Sequence, residues 1–316
     1  MNTIQSVCVV VVTYNRKALL RECLSGLQNQ SRPLQRILVV NNLSTDGTAE
    51  MLATEFPAVH VMAMQSNLGG AGGFKVGMQA AYEQGYDWVW VMDDDAEPRP
   101  DTLARLLDAA TQVQSEPGQA DMPLAMCPLI WGVRSNSAEA YHHKLIDGLF
   151  HERPLDVSAD PRAIIPIDAN AFVGPMFNRS GMTHLGLPRD EYFLWCDDTE
   201  YTYRFSQRGG CYLVRDAIID HKDVPGPVGP AKLFYRARNY SDFILRRGSM
   251  YARDRSSVRL RALLGFAQFA FKDIRVTTRF AAASLLKRRH LKLRDNLLPL
   301  LGLLHGVTGR HGPLKQ

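Results

Sequence analysis

The chain has 316 residues, with 37 Lys and Arg against 32 Asp and Glu, and 46% of it is apolar. That length allows one large domain or two ordinary ones, and the apolar share supports a buried core and excludes a disordered chain. The net charge of +5 hides an asymmetry: residues 231–316 hold 19 basic and 4 acidic side chains, a local +15, while the first 230 hold 18 and 28, a local −10. An acidic body with a basic C-terminal region is a statement about partners rather than fold. Cys8, Cys23, Cys127, Cys196 and Cys211 form no Cys-x-x-Cys and are odd in number, so no disulfide framework or zinc site is expected and a reducing cytoplasm is the default. No leader and no spanning helix are expected, because the first apolar run is short and none approaches 18 residues.

Val7 to Val12 is an unbroken β-branched run and reads as a strand buried on both faces. Residues 16–29 follow with helical spacing at Leu19, Leu20, Leu24 and Leu27. Ile37 to Val40 is a second strand, closed by the turn-rich Asn41 to Gly47; a helix over about 48–55 and a strand over about 59–64 come next. The glycine-rich Asn67 to Gly73 reads as a loop opening a helix through Tyr82, and Trp88 to Met92 as a strand ending in Asp93-Asp94-Asp95. This alternation predicts an α/β, doubly wound sheet, whose ligands sit outside the C-terminal strand ends. The region 120–230 reads as less regular, and Pro225 to Pro230 punctuates its end. Beyond it the pattern is helical, with Leu260, Leu263, Leu264, Ala267, Phe271 and Ile274 on one face and Arg261, Lys272, Arg275 and Arg279 along its flank.

Three constellations can carry chemistry. Carboxylates at i and i+2 of an extended strand end point the same way, so Asp93 and Asp95 can share one hard cation such as magnesium or manganese; the bland alternative is a solvated acidic turn. The glycines after Asn67 let backbone N–H groups approach an anion at a helix N-terminus, although neither Gly-Lys-Ser/Thr nor a clean Gly-x-Gly-x-x-Gly is present, and a plain flexible turn serves equally. Trp195-Cys196-Asp197-Asp198-Thr199-Glu200-Tyr201 sets three acids beside aromatics, one of which can act as a general base; acidic first-turn residues of a helix explain them as well. His221 by itself reads as a structural histidine.

In this order and spacing the motifs resemble the inverting, GT-A-fold glycosyltransferases of family 2. The resemblance covers roughly residues 7–240 and rests on Thr13-Tyr14-Asn15-Arg16, Asn41 to Thr48, the Asn67 glycine loop, Asp93-Asp94-Asp95 and the Trp195 to Tyr201 block. That loop, that block and Tyr235 to Asn239 look most like the galactofuranosyltransferase and rhamnosyltransferase branch; the Gln-x-x-Arg-Trp motif of processive synthases is absent. Asn41 stands where family members often carry Asp, which leaves open how the base is read. The resemblance implies a GT-A (Rossmann-like) doubly wound mixed sheet over 1–230, with nucleotide-sugar binding in about 1–120 and acceptor binding and catalysis in about 121–230, followed by a basic helical region over 231–316. It implies Thr13, Tyr14, Arg16, Asn41 and Asp46 around the base, and Asn67, Gly69, Gly70, Asp94 and Trp195 along the rest of the nucleotide-sugar. It implies Asp93, Asp95 and His221 on Mn²⁺ or Mg²⁺, and Asp198 as catalytic base with Asp197 and Glu200 supporting the acceptor.

The expected activity is metal-dependent inverting transfer of a hexosyl group in cell-surface polysaccharide synthesis. UDP-galactofuranose is the first choice of donor, dTDP-rhamnose the second, and a glycan or polyprenyl-diphosphate-linked glycan the acceptor. The basic amphipathic C-terminal region, densest at Lys287-Arg288-Arg289-His290, fits docking at the anionic inner face of the cytoplasmic membrane, or else packing on the core. No nucleic-acid partner is expected. A sugar nucleotidyltransferase is disfavoured, since Thr13 to Arg16 stands where its basic glycine loop belongs, and the set Asp93, Asp95, Asp198 and His221 argues against a non-catalytic membrane-associated binding protein.

Overall fold

The computed structural model describes residues 5–118, 121–222, 228–253, 257–286, 293–311 and 314. The Lys287 to His290 cluster and residues 225–227 of the Pro225 to Pro230 punctuation lie outside the described residues.

The chain alternates as expected through β1 (Val7–Thr13), α1 (Lys17–Gln28), β2 (Arg36–Asn41), α2 (Thr48–Glu55), β3 (His60–Ala63), α3 (Gly69–Glu83) and β4 (Trp88–Asp93), and β5 (Ala96–Pro98) and α4 (Thr102–Gln114) follow. The middle adds β6 (Leu124–Gly132), β7 (Ser137–Ala138), β8 (His143–Ile146), β9 (Glu152–Pro154), β10 (Ile164–Pro166), β11 (Ala169–Asn170), β12 (Met176–Asn178), α5 (Arg179–Leu185), α6 (Asp197–Arg208) and β13 (Gly210–His221). The main sheet runs β10-β13-β6-β12-β4-β1-β2-β3, with β5 on β13 and β7 on β6; β11-β8-β9 form a second, small sheet. β1 is parallel to β2 and β4, whereas β12 is antiparallel to β4 and β6, so the sheet is mixed.

Every residue of β1 is buried, which is why its apolar run does not alternate. Val7, Val9 and Val11 face one core with Leu20, Leu24 and Leu27 of α1 and Leu103 and Leu106 of α4. Cys8, Val10 and Val12 face the other, with Phe74 and Met78 of α3 and Tyr201 and Phe205 of α6. The chain steps outward from β1 to β2 and β3, then returns to β4 on the opposite side. That reversal leaves a crevice at the C-terminal ends of β1 and β4, where the register sets Val12 beside Asp93 and Thr13 beside Asn41.

The glycine-rich stretch differs from expectation. α3 already begins at Gly69, so most of these glycines lie within the helix. They serve close packing on β1: a Cβ on Gly73 would stand 2.7 Å from Val12 Cγ1, and one on Gly77 would overlap Val10 Cγ1. Gly69, at φ +70°, is crossed so closely by the Phe193 carbonyl that no side chain fits. Only Gly69 and Gly70 of the run reach the crevice.

After β13 come α7 (Pro230–Asp242), a π-helical turn (Phe243–Gly248), α8 (Ser249–Tyr251), α9 (Val258–Leu286) and α10 (Leu293–Thr308). α7 is part of the body: Phe234, Arg238, Asn239 and Asp242 are buried, and α10 lies on it where Gly302 and Gly306 approach the carbonyls of Phe234 and Arg238. On α9 the predicted apolar face is the exposed one. Ala262, Gly265, Phe269 and Asp273 turn inward, while Leu260, Leu263, Leu264, Ala267, Phe271 and Ile274 face solvent. No described helix is long and apolar enough to cross a membrane.

Replacing Gly77 with Val would drive an isopropyl group into a filled seam between α3 and β1. The unfolding free energy should fall by about 1–3 kcal/mol, read as a lower urea midpoint at unchanged slope.

Candidate active site

The crevice opens into a cleft of about 640 Å³, within the range of small-molecule sites. Its acidic wall is the end of β4. Asp93 closes the strand, and Asp94 and Asp95 form the two-residue turn into β5. The three carboxylates therefore do not line one extended strand end, as i and i+2 spacing implied; the chain turns between Asp93 and Asp95. Arg16, just before α1, reaches across: its guanidinium contacts Asp95 and stands 3.4 Å from Asp94 Oδ1. Thr13 Oγ1 donates to Asp94 at 2.7 Å. Burial, reinforced by Asp95 and Asp94 and opposed by Arg16, pushes the Asp93 carboxyl well above its ordinary value. Burial also raises Asp94 to about 6, against the Thr13 hydrogen bond and the Arg16 charge.

His221 ends β13. A register shift between Val214 and Ile218 lets that strand pair with both β6 and β5, which sets His221 opposite Gly132 on one side and Ala96 on the other. Its Nδ1 is 2.7 Å from Glu139 Oε2 and its Nε2 is 3.6 Å from Asp95 Oδ1. Glu139, His142 and His221 present ligand atoms within 4.8 Å of one another. Burial works against the Glu139 charge, but hydrogen bonds from His142, His221 and Tyr141 outweigh it and hold the carboxyl down at about 2. Carboxylates plus one imidazole form a donor set that manganese accepts and that magnesium accepts through its oxygens. The raised Asp93 and Asp94 mark a place where a cation relieves repulsion, so the residues present fit a divalent ion.

The facing wall is the N-terminus of α6. Asp197 and Asp198 line the cleft and Glu200 does not: it is fully buried between Arg204 and Arg189, with Arg189 Nε 3.2 Å away. An acceptor cannot touch a carboxylate so enclosed, and Glu200 is a helix-anchoring ion pair here. Burial, then the Asp198 charge, raises Asp197 to about 7. Lys144 also lines the cleft and donates to Glu152 at 3.0 Å and Thr199 Oγ1 at 2.7 Å; burial opposes its charge, but Asp198 and Glu152 hold its ammonium above the usual range.

The segment leading into α6 is backbone-strained, with Phe193, Trp195 and Cys196 at φ +61°, +76° and +68°. It is held from α7. Asn239 Nδ2 donates to the carbonyls of Tyr192, Leu194 and Trp195 at 3.0, 2.9 and 2.7 Å, and Arg238 Nη2 to those of Glu191 and Tyr192 at 2.9 and 2.8 Å. Residues counted with the basic C-terminal region thus brace the segment that carries Trp195 and Asp197.

Among the other predicted residues, Thr13, Tyr14, Arg16, Asn67, Gly69, Gly70, Asp94 and Trp195 line the cleft, and Asn41 and Asp46 do not. Asn41 Oδ1 accepts from Ser44 N at 2.9 Å, and Asp46 accepts from the backbone N–H groups of Lys17 and Thr48 at 2.9 and 3.2 Å. Both shape the turn after β2. Asn42 is the cleft residue there, tying Leu68 N and the Gly69 carbonyl at 2.8 and 3.0 Å. Sequence reasoning missed Glu139, Tyr141, His142, Lys144 and Lys232. The first four sit in an irregular stretch whose position follows from β7 pairing back on β6 and β8 joining the small sheet; no local spacing announces them.

The sheet, its reversal at β1 and β4 and the acidic turn at the strand end define the GT-A fold, and the protein is a glycosyltransferase. Residues 8–115, the part that builds the acidic wall, match the sequence model of Glycosyl transferase family 2. Over 214 residues the chain is 28% identical to galactofuranosyltransferase GlfT1 of Mycolicibacterium smegmatis, covering 66% of this chain and 68% of that protein. It superposes on S. aureus TarS 1-349 in complex with UDP with a TM-score of 0.58 at 16% identity, covering 97% of this chain and 82% of that one. It superposes on GalNAc-T7 with UDP, GalNAc and Mn²⁺ with a TM-score of 0.57 at 15% identity, covering 84% of this chain and spanning little more than half, 55%, of that one.

The raised Asp197 gives a pH test. Between the ordinary 3.8 and about 7 the native state keeps a proton that the unfolded chain has released, so stability falls as pH rises through that window. Asp197→Asn, which cannot ionise, should flatten the decline of melting temperature between pH 4.5 and 7.5 in EDTA; an unchanged slope would place the carboxyl in an ordinary environment.

Proposed function

We propose that the protein transfers a sugar from a nucleotide diphosphate to a hydroxyl acceptor, with inversion at the anomeric carbon and dependence on a divalent cation. The observation that carries this reading is that one cleft, at the switch point of the sheet, is lined by both the Asp93–Asp95 turn with His221 and the Asp197–Asp198 helix end. Asp93, Asp95 and His221 would hold Mn²⁺ or Mg²⁺, which supplies Lewis-acid neutralisation of the departing diphosphate. Arg16 screens the remaining carboxylate charge. Thr13, Tyr14 and Asn67 line the cleft where a base and ribose enter, and Gly70, with open space above its backbone, lets phosphate approach the start of α3. Asp198 accepts the proton of the acceptor hydroxyl as it attacks from the face opposite the leaving group, so no covalent intermediate forms. Asp197, whose carboxyl burial and then the Asp198 charge raise to about 7, stands beside it as a second acid. Lys144 holds Glu152 and Thr199 at the start of α6.

UDP-galactofuranose is the donor best supported, because the chain is 28% identical to a galactofuranosyltransferase over 214 residues; dTDP-rhamnose stands second. Asp198→Asn should lower turnover about 10²–10⁴-fold while leaving UDP affinity nearly unchanged. Wild-type turnover in that variant would refute the base assignment, and full activity in EDTA would refute the metal.

We further infer that the protein works peripherally at the inner face of the cytoplasmic membrane, on a glycan or lipid-linked glycan acceptor. Leu260, Leu263, Leu264, Phe271 and Ile274 of α9 and Leu297, Leu300, Leu301, Leu304 and Val307 of α10 are exposed, beside Arg259 and Lys272, in a region of local charge +15. Apolar side chains flanked by cations match an anionic lipid interface. In a flotation assay at physiological salt the protein should float with vesicles containing phosphatidylglycerol and sediment with phosphatidylcholine alone, and Leu263→Glu with Phe271→Glu should abolish flotation. Equal recovery with both lipids, or flotation unaffected by the double change, would remove the membrane surface.

A further inference from the structure

We propose that Glu139 is a positioning residue that locks His221 in the tautomer able to ligate the donor's metal ion, an inference that rests on the reading of Asp93, Asp95 and His221 given above. The observation is a directed chain of contacts: Asp95 Oδ1, 3.6 Å, His221 Nε2; His221 Nδ1, 2.7 Å, Glu139 Oε2. An ionised carboxylate only accepts, so the proton of the 2.7 Å bond sits on Nδ1, and a neutral ring then offers a lone pair at Nε2. That lone pair faces the Asp95 carboxylate across a gap too long for a hydrogen bond. Two electron-pair donors aimed at each other repel unless a cation lies between them. Ligating histidines generally donate their other N–H to a carboxylate, which fixes the ring and raises its basicity.

Glu139 is itself over-determined. Its backbone N–H donates to the Ile130 carbonyl at 2.9 Å. Its Oε2 also takes His142 Nε2 at 3.2 Å, and the His142 ring meets His221 edge-on at a centroid distance of 5.0 Å. Gly132, the last residue of β6 and the register partner of His221, leaves the space that the carboxylate fills: a Cβ there would overlap Glu139 Oε1. The strand end that pairs with His221 thus also admits the group that orients it. His142 supports Glu139 rather than reaching the acidic turn. The competing arrangement, in which Glu139, His142 and His221 together ligate the ion, uses the same atoms but makes a different prediction for His142.

Mn²⁺ binding, followed by the EPR signal of the free ion with UDP present, and the His221 tautomer, read from long-range ¹H–¹⁵N spectra of the neutral ring in metal-free protein, test this without any measurement of turnover. Glu139→Ala should weaken Mn²⁺ binding about 10–100-fold and shift His221 from the Nδ1–H towards the Nε2–H form. Glu139→Gln, whose amide oxygen still accepts, should retain more affinity than Glu139→Ala. Gly132→Ala, which displaces the carboxylate without changing charge, should weaken binding in the same direction and serves if Glu139→Ala fails to fold. His142→Ala should stay within a few-fold of wild type. Wild-type affinity or an unmoved tautomer in folded Glu139→Ala or Gly132→Ala overturns the assignment, as does a loss in His142→Ala equal to that in Glu139→Ala. If Asp95→Ala binds Mn²⁺ as the wild type does, the metal reading falls and this inference with it; if Asp95→Ala loses binding and Glu139→Ala does not, only the inference falls.

Discussion

Carboxylates taken out of water at the end of a sheet repel one another and lose hydration, and the rest of the site is arranged around that cost. Asp93, Asp94, Asp95 and Asp197 converge on one cleft, and burial raises Asp93, Asp94 and Asp197. The protein offsets part of the repulsion with Arg16, which spans Asp94 and Asp95, and with the Thr13 hydroxyl. It does not neutralise the cluster, and a site left short of positive charge attracts a cation together with whatever that cation carries.

The second constraint is mechanical. A helix N-terminus that bears two acids faces the acidic wall, and the chain reaches it through three residues at positive φ. Side chains do not hold such a backbone from within. Asn239 and Arg238 do so from α7, by donating to the carbonyls of Tyr192, Leu194 and Trp195. Phe193 also presses its carbonyl onto Gly69, so the glycine at the mouth of α3 and the strained segment have shapes that depend on each other. The two walls of the cleft are thereby coupled through backbone contact.

A third feature separates the two ends of the molecule. α7 is buried like a core helix, while α9 turns its larger apolar side chains outward and packs through Ala262, Gly265 and Phe269. Phe269 aside, the fully buried apolar positions are small and the exposed ones mostly large, which reverses the usual pattern of a helix on a globular body. The sequence signal of an apolar face was right about the face and silent about its direction, because periodicity specifies which residues share a side and never what that side meets.

The amino-acid sequence by itself determined the alternating strands and helices from Val7 to Asp93, since a strand covered on both sides must be apolar throughout and helices between such strands must carry one apolar stripe. It also determined that Thr13 and Asp93 end strands. Only the tertiary structure decided that Glu200 is sealed in an ion pair, that Asn41 and Asp46 shape a turn while Asn42 faces the cleft, and that Glu139 and His142 stand behind His221. Those outcomes depend on which strands pair and in what register. Hydrogen bonds between residues as far apart as Glu139 and His221, 82 positions in the chain, leave no periodicity to read.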